Sequence, residues 1–269
     1  MSCREYTGKE TEMRSLRLAI LGLVVCLVIC GCEKEKELTQ EKETETATDK
    51  PEAGKEAGMG ITLEWLGHAS FKICHAEAVI YIDPWKLKGS PHDATLVLVS
   101  HSHHDHYSAA DIAKVSGPKT KLVASADVVA KEGSGQTLLP GLRIELEGVS
   151  VAGVPAYNPD KRYHPKDNKW LGFTIEVGSK RIYYAGDTDL TDEMRALKGV
   201  DVALLPVGGT YTMNAEEAAE ATKYIQPQLA IPYHWGDIVG GRKDAEQFAE
   251  RAECRAAVLA PGETMELEL

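Results

Sequence analysis

Four histidines and one aspartate occupy the six residues 101–106, His-Ser-His-His-Asp-His, directly after an apolar run at 94–99. That run, Ala-Thr-Leu-Val-Leu-Val, is typical of a buried β-strand. Neutral imidazole and carboxylate are ligands that zinc and iron(II) use in proteins, and a loop at the end of a rigid strand is a usual place for function. The pattern therefore predicts a metal site. A solvated histidine-rich loop is the alternative.

Length and charge narrow the class of protein. Residues 60–269 are long enough for one α/β domain with its own core, or for two small ones. The whole chain has 30 lysines and arginines against 41 aspartates and glutamates, a formal net charge of −11, and shows no basic stripe. We therefore expect no nucleic-acid partner, because phosphate binding needs clustered basic side chains. A small-molecule substrate is expected instead.

The N-terminus carries a targeting pattern. Arg14 and Arg17 precede an almost wholly apolar stretch, 18–30, which is followed by a glycine, then Cys32, then a polar segment. This order resembles a bacterial lipoprotein signal. We expect residues 1–32 to be the signal peptide and Cys32 to carry the lipid, with an uncleaved anchor helix as the alternative. Either interpretation places the domain at a membrane, on its extracytoplasmic side.

Residues 33–59 consist mainly of Glu, Lys, Thr, Ala and Gly. Such a composition predicts disorder, because little apolar surface is available to offset the entropy of the chain. We interpret this segment as a tether and residues 60–269 as the functional domain.

Two cysteines remain if Cys32 is lipidated, namely Cys74 and Cys254. An oxidising compartment permits a disulfide between them, but two buried free thiols are the favoured interpretation. No Cys-x-x-Cys pair is present, which argues against a zinc site made of thiolates.

Hydrophobic patterning predicts mainly strands, with helices between them. Strands are expected at 61–66, 70–74, 79–82, 95–100, 121–124, 142–146, 149–154, 170–177, 181–185, 202–207, 229–233, 256–259 and 265–269. Helices are expected at 108–115, 126–131, 192–197, 214–224 and 243–253. The dipeptide Gly178-Ser179 between two strands predicts a two-residue hairpin turn.

The two halves of the domain echo each other. Val-Ile-Tyr-Ile-Asp at 79–83 precedes the apolar strand at 94–99, and Arg-Ile-Tyr-Tyr-Ala-Gly-Asp at 181–187 precedes another at 202–207. Two such halves packed sheet on sheet, with helices outside, would bring the loops at their strand ends to one edge. Distant ligands would meet there.

Several motifs occur in the order that one family shows. They are Trp-Leu-Gly-His-Ala-Ser-Phe at 65–71, Ile-Asp-Pro at 82–84, the cluster at 101–106, Gly-Asp-Thr at 186–188 and Ile-Pro-Tyr-His at 231–234. The chain resembles the metallo-β-lactamase superfamily over nearly all of its domain. The resemblance implies a four-layer αββα sandwich. The Gly-His-Ala-Ser start is similar to the small hydrolases related to ascorbate-6-phosphate lactonase and to N-acyl-phosphatidylethanolamine phospholipase D.

The resemblance also implies two metal positions that share one bridging carboxylate, Asp187. The ligands that it assigns are His101 and His103 at the first position, and Asp105, His106 and His234 at the second. Zinc, as two ions, is the expected cofactor, with iron or manganese as alternatives.

Simpler roles stay open for some of these side chains. Asp187 could instead cap a helix, and His234 could be a core histidine bonded to the backbone. Asp83 matches a position that would orient a loop or a ligand histidine, but a turn-forming Asp-Pro pair explains it nearly as well. His68 could line the cleft or make a structural hydrogen bond.

One departure from the family pattern concerns the first metal. The third histidine that the family usually supplies would follow residues 154–156, where this chain has Tyr157 and Asn158. Asparagine is a poor zinc ligand. We expect His164 to take the position, with Asn158 or water filling it otherwise.

The expected activity is metal-dependent hydrolysis of an ester, lactone or phosphodiester-type bond by a zinc-activated water, which Asp105 and Asp187 would orient. No Gly-x-Ser-x-Gly pattern points to a serine nucleophile. An iron-dependent redox enzyme of the same fold is one alternative. A metal-binding lipoprotein without catalysis is another.

Overall fold

The computed structural model describes residues 60–268. The predicted signal peptide, the lipidation of Cys32 and the tether at 33–59 lie outside the described residues. Within 60–268, no helix is long and apolar enough to cross a membrane.

The domain begins with four strands, and short helices are interspersed among the later ones. The strands are β1 (Thr62–Gly67), β2 (Ser70–His75), β3 (Ala78–Ile82), β4 (Ala94–Val99), β5 (Ser116–Ala124), β6 (Gln136–Thr137), β7 (Arg143–Leu146), β8 (Val149–Pro155), β9 (Leu171–Val177), β10 (Lys180–Tyr184), β11 (Val202–Pro206), β12 (Leu229–Tyr233), β13 (Arg255–Ala256) and β14 (Glu263–Glu266). The helices are α1 (Ala109–Val115), α2 (Ala126–Glu132), α3 (Asp192–Arg195), α4 (Ala215–Ile225) and α5 (Arg242–Arg251), with a 3₁₀ turn at Lys166–Asn168.

The strands form two seven-stranded mixed sheets, which we call the first and second sheet. Their orders are β14-β1-β2-β3-β4-β5-β6 and β13-β12-β11-β10-β9-β8-β7. In the first sheet β3, β4 and β5 run parallel, and in the second β10, β11 and β12 do. An antiparallel hairpin leads into each parallel set, β2–β3 in one sheet and β9–β10 in the other. The repeated plan agrees with the echo in the sequence.

Aromatic side chains join the inner faces of the two sheets. Phe71 of the first sheet makes edge contacts with Tyr184 and Tyr233 of the second, at ring-centroid distances of 6.2 and 5.6 Å. All three rings are fully buried. Edge-to-face geometry is favourable because the positive edge of one ring meets the negative face of another.

Helices cover the outer face of each sheet. A second apolar cluster packs Val97 and Val99 of β4 against Ile112 and Val115 of α1 and Val128 of α2. On the other side, α4 and α5 lie over β11 and β12. The layers are therefore helix, sheet, sheet, helix, and the predicted αββα fold class is confirmed.

The helix α4 begins where the sequence indicates. The Asn214 side chain accepts hydrogen bonds from the backbone N–H groups of Glu216 and Glu217, and the Glu217 carboxylate accepts one from the Asn214 N–H. This capping box satisfies donors that the first turn leaves unpaired.

Strand β5 begins earlier than predicted. The sequence predicts a strand at 121–124 after the helix at 108–115, whereas β5 starts at Ser116 and includes Gly117-Pro118. The pairing with β4 shifts register between Ala94 and Leu96, so the intervening residues of β5 bulge out of the ladder. A bulge accepts a proline because no ladder hydrogen bond is required there. The strand expected at 256–259 is shorter, at Arg255–Ala256.

Cys74 and Cys254 are both free, as the favoured interpretation expects, and are partly rather than fully buried. Burial raises the pKa of the Cys254 thiol to about 11. That thiol therefore stays protonated near neutral pH, where the thiolate is the reactive form.

We expect Gly172→Ala to destabilise the domain, because β9 passes close to backbone at this point. A Cβ at Gly172 would lie 2.6 Å from the carbonyl oxygen of Ala185 and 2.7 Å from that of Tyr184. The overpacking should lower the free energy of unfolding by roughly 1–3 kcal/mol, measured by urea titration. Gly89→Ala is the matched control, since nothing lies within 4 Å of a Cβ there. Equal midpoints for both variants would contradict the expectation.

Candidate metal centre

The predicted site residues, ligands and supporting side chains alike, meet at one edge of the sandwich because several of them follow strand ends. Asp83 follows β3 and His101 follows β4 in the first sheet, while Asp187 follows β10 and His234 follows β12 in the second. These strands belong to the two parallel sets. In parallel sheets the carboxyl ends of the strands lie at one edge, which is where ligands bind.

Asp187 lies at the middle of the site and is 4% exposed. Its Oδ1 is 3.1 Å from His106 Nε2 and 3.2 Å from His234 Nε2. Its Oδ2 faces the other side, 3.2 Å from His164 Nε2 and 4.0 Å from His101 Nε2. Each carboxylate oxygen thus points at a different set of imidazoles. Helix α3 begins after Thr191, so Asp187 does not cap it.

The first set of imidazoles, which we call the first group, is His101, His103 and His164. They offer ligand atoms within 4.8 Å of one another. His101 Nε2 and His103 Nδ1 are 3.0 Å apart. A tetrahedral zinc site needs three or four such atoms around one point.

The second group is Asp105, His106 and His234, joined by His68. Asp105 Oδ2 lies 3.7 Å from the Nε2 atoms of both His106 and His234. His68 Nε2 is 3.0 Å from the same oxygen, and its ring lies 4.2 Å from that of His234. The structure therefore places His68 against the predicted second metal position, where it holds Asp105.

His164 and Asn158 have different positions. His164 Nδ1 lies 3.1 Å from the carbonyl oxygen of Tyr211, so as an N–H donor it leaves Nε2 facing Asp187. The Asn158 amide donates to the same carbonyl oxygen at 2.7 Å and lies 3.3 Å from His164 Nδ1. Asn158 therefore stands behind His164, on the side away from Asp187. A hydrogen bond from the second ring nitrogen orients a metal-binding histidine in this way.

Asp83 joins several of the site's elements and is fully buried. Its carboxylate accepts from the N–H of Ser100 at 2.7 Å and from the hydroxyl of Tyr184 at 2.6 Å, and it lies 2.7 Å from His106 Nδ1. The Ser100 hydroxyl also lies 2.9 Å from His101 Nδ1. Asp83 thus orients His106 of the second group directly and His101 of the first group through Ser100.

Several buried polar atoms of the site have no hydrogen-bond partner, as expected of atoms that bind a cation. His106 Nε2, His164 Nε2, His234 Nε2 and Asp187 Oδ1 are buried and make no hydrogen bond, although the nitrogens lie about 3 Å from the carboxylate. Buried polar atoms are normally paired. A divalent ion accepts lone pairs from such atoms together, and imidazole with carboxylate is the donor set that zinc, iron and manganese share.

The ionisation of the groups suits the same role. Burial, reinforced by the neighbouring His106, holds the pKa of His101 well below its ordinary value, so its imidazole stays neutral. Burial alone would raise the pKa of Asp187, but the attraction of His106 and His234 holds it well below the usual range. Neutral imidazole and ionised carboxylate are the ligand forms that metals require. His106 differs in this respect, because Asp187 and Asp83 outweigh the effect of burial and raise its pKa well above the ordinary value, so a cation bound there would replace its proton.

Four of these residues have backbone angles that side chains rarely adopt. The φ values are +49° at His68, +43° at Asp83, +52° at His164 and +62° at His234. Non-glycine residues in this region cost free energy and cluster at functional sites. Here each one directs a side chain into the same centre.

Some supporting residues were not foreseen from the sequence. Trp170 packs against the rings of His101 and His103, at centroid distances of 4.7 Å for both. Tyr184 reaches Asp83 across the sandwich. Ser100 directly precedes the histidine cluster, and this position in the sequence would have allowed its supporting role to be predicted. The sequence gives no such indication for Tyr184, because a tyrosine within a strand usually belongs to the hydrophobic core.

A small cleft opens onto the centre. Its cavity is about 240 Å³, and it is lined by His103, His104, Asp105, Tyr163, His164, Asp187, Tyr211 and Ile238. The side chain of His104 is 81% exposed at the rim. A larger cavity of about 560 Å³ lies elsewhere, along Lys72, Tyr81 and Gly89, and has none of the predicted ligands. Chemistry rather than volume therefore identifies the site.

Comparison with known proteins places the chain among metal-dependent hydrolases. The family described as the β-lactamase superfamily domain matches residues 62–234. A UPF0173 metal-dependent hydrolase of Pyrococcus abyssi is 33% identical over 229 residues, covering 77% of this chain and all of the relative. One of Thermus thermophilus is 32% identical over 227 residues, with the same coverage.

The chain is also similar to a solved structure of a metallo hydrolase. Igni18, a metallo hydrolase from the archaeon Ignicoccus hospitalis, superposes with a TM-score of 0.65 and is 27% identical. The alignment covers 78% of this chain and 99% of Igni18. The relatives thus match the domain essentially over their whole length.

We expect the full-length chain to bind two zinc ions, and His164→Ala to lose the one held by the first group. The substitution removes an imidazole that faces Asp187. Asn158→Ala removes the amide that bonds to the Tyr211 carbonyl oxygen beside His164, and should weaken metal binding by roughly 10–100-fold. Elemental analysis of protein purified without added metal measures content and identity together.

His92→Ala is the matched control, since this exposed histidine precedes β4 at its opposite end. It should leave metal content unchanged. If Asn158→Ala loses an ion while His164→Ala keeps both, the assignment of the first group is wrong.

Proposed function

This chain belongs to the β-lactamase superfamily and, within it, to the UPF0173 metal-dependent hydrolases, and we propose that it cleaves an ester, lactone or phosphodiester-type bond with a metal-activated water. The proposed ligands are His101, His103 and His164 at one ion. At the second ion they are Asp105, His106 and His234, with Asp187 between the two.

The observation that supports this best is the position of Asp187. Its two oxygens face imidazoles of the two groups separately, at 3.1–3.2 Å for three of the four contacts. A side chain that only stabilised the fold would be paired through hydrogen bonds, whereas Oδ1 has none. A role for Asp187 as a ligand shared by two ions would explain both facts.

A divalent ion such as zinc, held by these residues, would supply a Lewis acid and would lower the pKa of a bound water to about 7. The carboxylates of Asp105 and Asp187 would orient the attacking water. Asp187 and Asp105 are both buried and both line the cleft. His68 holds Asp105 in place through one oxygen, Oδ2. The remaining oxygen, Oδ1, lies 3.7 Å from Nδ1 of His104 and would be able to accept a hydrogen bond from water in the cleft.

The size of the cleft favours a small substrate. Its volume of about 240 Å³ is below the range of about 300–1,000 Å³ typical of sites for drug-sized ligands. A nucleic-acid chain would need a basic groove beside the centre, and the cleft residues include no lysine or arginine. We therefore propose a small molecule as substrate and no nucleic acid.

Two alternatives are less well supported. Iron in the same ligands would permit redox chemistry, and a metal-binding protein without catalysis would need only the ligands. The curated relatives are named metal-dependent hydrolases, which favours hydrolysis over both. Iron as the native metal, measured in the analysis above, would support the first alternative.

We also propose that the domain is held at a membrane on its extracytoplasmic side. The support is the sequence pattern at residues 14–32, in which arginines, an apolar stretch and Cys32 follow one another. A lipid on Cys32 would anchor the domain through residues 33–59.

Asp187→Ala should abolish hydrolysis without unfolding the protein. We expect kcat/KM to fall by at least about 10²–10³-fold on whichever lactone, phosphodiester or β-lactam the wild type cleaves, with an unchanged circular-dichroism spectrum. Glu250→Ala, an exposed carboxylate on α5, is the control. Full activity of Asp187→Ala would refute the bridging role.

Cys32→Ser should release the full-length protein from the membrane fraction of a bacterial host, because the lipid attaches to that thiol. Cys30→Ser, two residues earlier, is the matched control and should leave the protein in the membrane. If both variants sediment with membranes, the apolar stretch acts as an uncleaved anchor instead.

A further inference from the structure

Two of the most exposed large apolar side chains stand at the metal centre. Among the described residues Tyr163 is 41% exposed and Ile238 is 38% exposed, and both line the cleft above Asp187. Tyr211 completes this wall and meets Tyr163 edge to face, with ring centroids 4.7 Å apart. Exposed apolar groups collected around a cavity mark a binding surface.

The wall is attached to the ligand scaffold. The carbonyl oxygen of Tyr211 accepts hydrogen bonds from Asn158, and it lies 3.1 Å from Nδ1 of His164. Tyr163 directly precedes His164 in the chain. The two rings are therefore held by the same contacts that orient the imidazole facing Asp187. A group bound against the exposed side of the rings would lie beside the reacting bond.

The lysine side chains near the cleft already pair with other groups of the protein. Lys161 is bonded to Asp189 and to the carbonyl oxygen of Thr212. Lys86 pairs with Asp237 at 2.7 Å. Arg162 is exposed but is not among the residues that line the cleft.

An anionic substituent on the substrate would find no lysine or arginine among the residues that line the cleft. The metal centre engages the bond that is cleaved, so a second charge carried next to it would lie against two tyrosine rings and Ile238. Removing an ion from water without pairing it is costly. An apolar substituent gains from burial against the same side chains.

We propose that the cleft selects small substrates whose group beside the scissile bond is apolar and uncharged, such as arylacetyl or branched acyl esters and lactones, and discriminates against the same compounds carrying a carboxylate or phosphate. This inference rests on the proposed hydrolase function. Tyr163 and Tyr211 are the specificity-determining residues.

A matched pair of esters tests the inference on the full-length, metal-loaded protein. p-Nitrophenyl phenylacetate and p-nitrophenyl 4-carboxyphenylacetate share the leaving group and the ring and differ in charge. After subtraction of the uncatalysed rate, we expect kcat/KM to be at least about tenfold higher for the neutral ester, mainly through KM. Tyr163→Ala should reduce that ratio, and Tyr163→Phe should restore it.

Tyr224→Ala is the control, because Tyr224 is a comparably exposed tyrosine on α4, away from the cleft. It should leave both rates unchanged. Equal kcat/KM for the two esters, or an equal loss on both in Tyr163→Ala, overturns the inference while the hydrolase function stands.

Absence of any turnover by the loaded protein, on these esters and on bis(p-nitrophenyl) phosphate, counts against the hydrolase function. Calorimetric titration with phenylacetamide and its 4-carboxy derivative then decides the inference by itself. Tighter binding of the neutral amide, lost in Tyr163→Ala, supports it. Equal binding, or none, overturns it.

Discussion

A carboxylate buried among imidazoles is the constraint on which the site depends. Asp187 is charged, almost fully enclosed, and shared between two groups of nitrogen ligands. Burying an ionised group is tolerated only when opposite charge and ligands surround it. Much of the local architecture can be understood as meeting that requirement, and a bound cation meets it most fully.

The αββα sandwich makes this arrangement possible by its connectivity. The two parallel strand sets end at one edge, so loops far apart in sequence deliver ligands to the same place. Asp83 then ties the sheets together there, since its carboxylate contacts Ser100 and His106 on one side and the hydroxyl of Tyr184 on the other. Positions that hold ligands are thereby also positions that hold the fold.

Much of the fold was predictable from residue patterns. Apolar runs such as 94–99 and 202–207 have the length of buried strands, and the capping box at Asn214 marks a helix start. The bulge at Gly117-Pro118 was not predictable. A proline normally ends a strand, and whether the neighbouring strand requires its hydrogen bond depends on pairing that sequence does not show.

The chemistry of the centre was determined by the sequence itself, because the histidine cluster at 101–106 and its carboxylate admit few roles other than metal binding. Tertiary structure alone decided the rest. Three features of the site arise from contacts between segments that are distant in the chain. His164, and not Asn158, faces Asp187; His68 contacts Asp105; and two tyrosine rings form one wall of the cleft. Such contacts depend on how the two sheets pack and where strand ends converge, and residue types at neighbouring positions do not encode those distances.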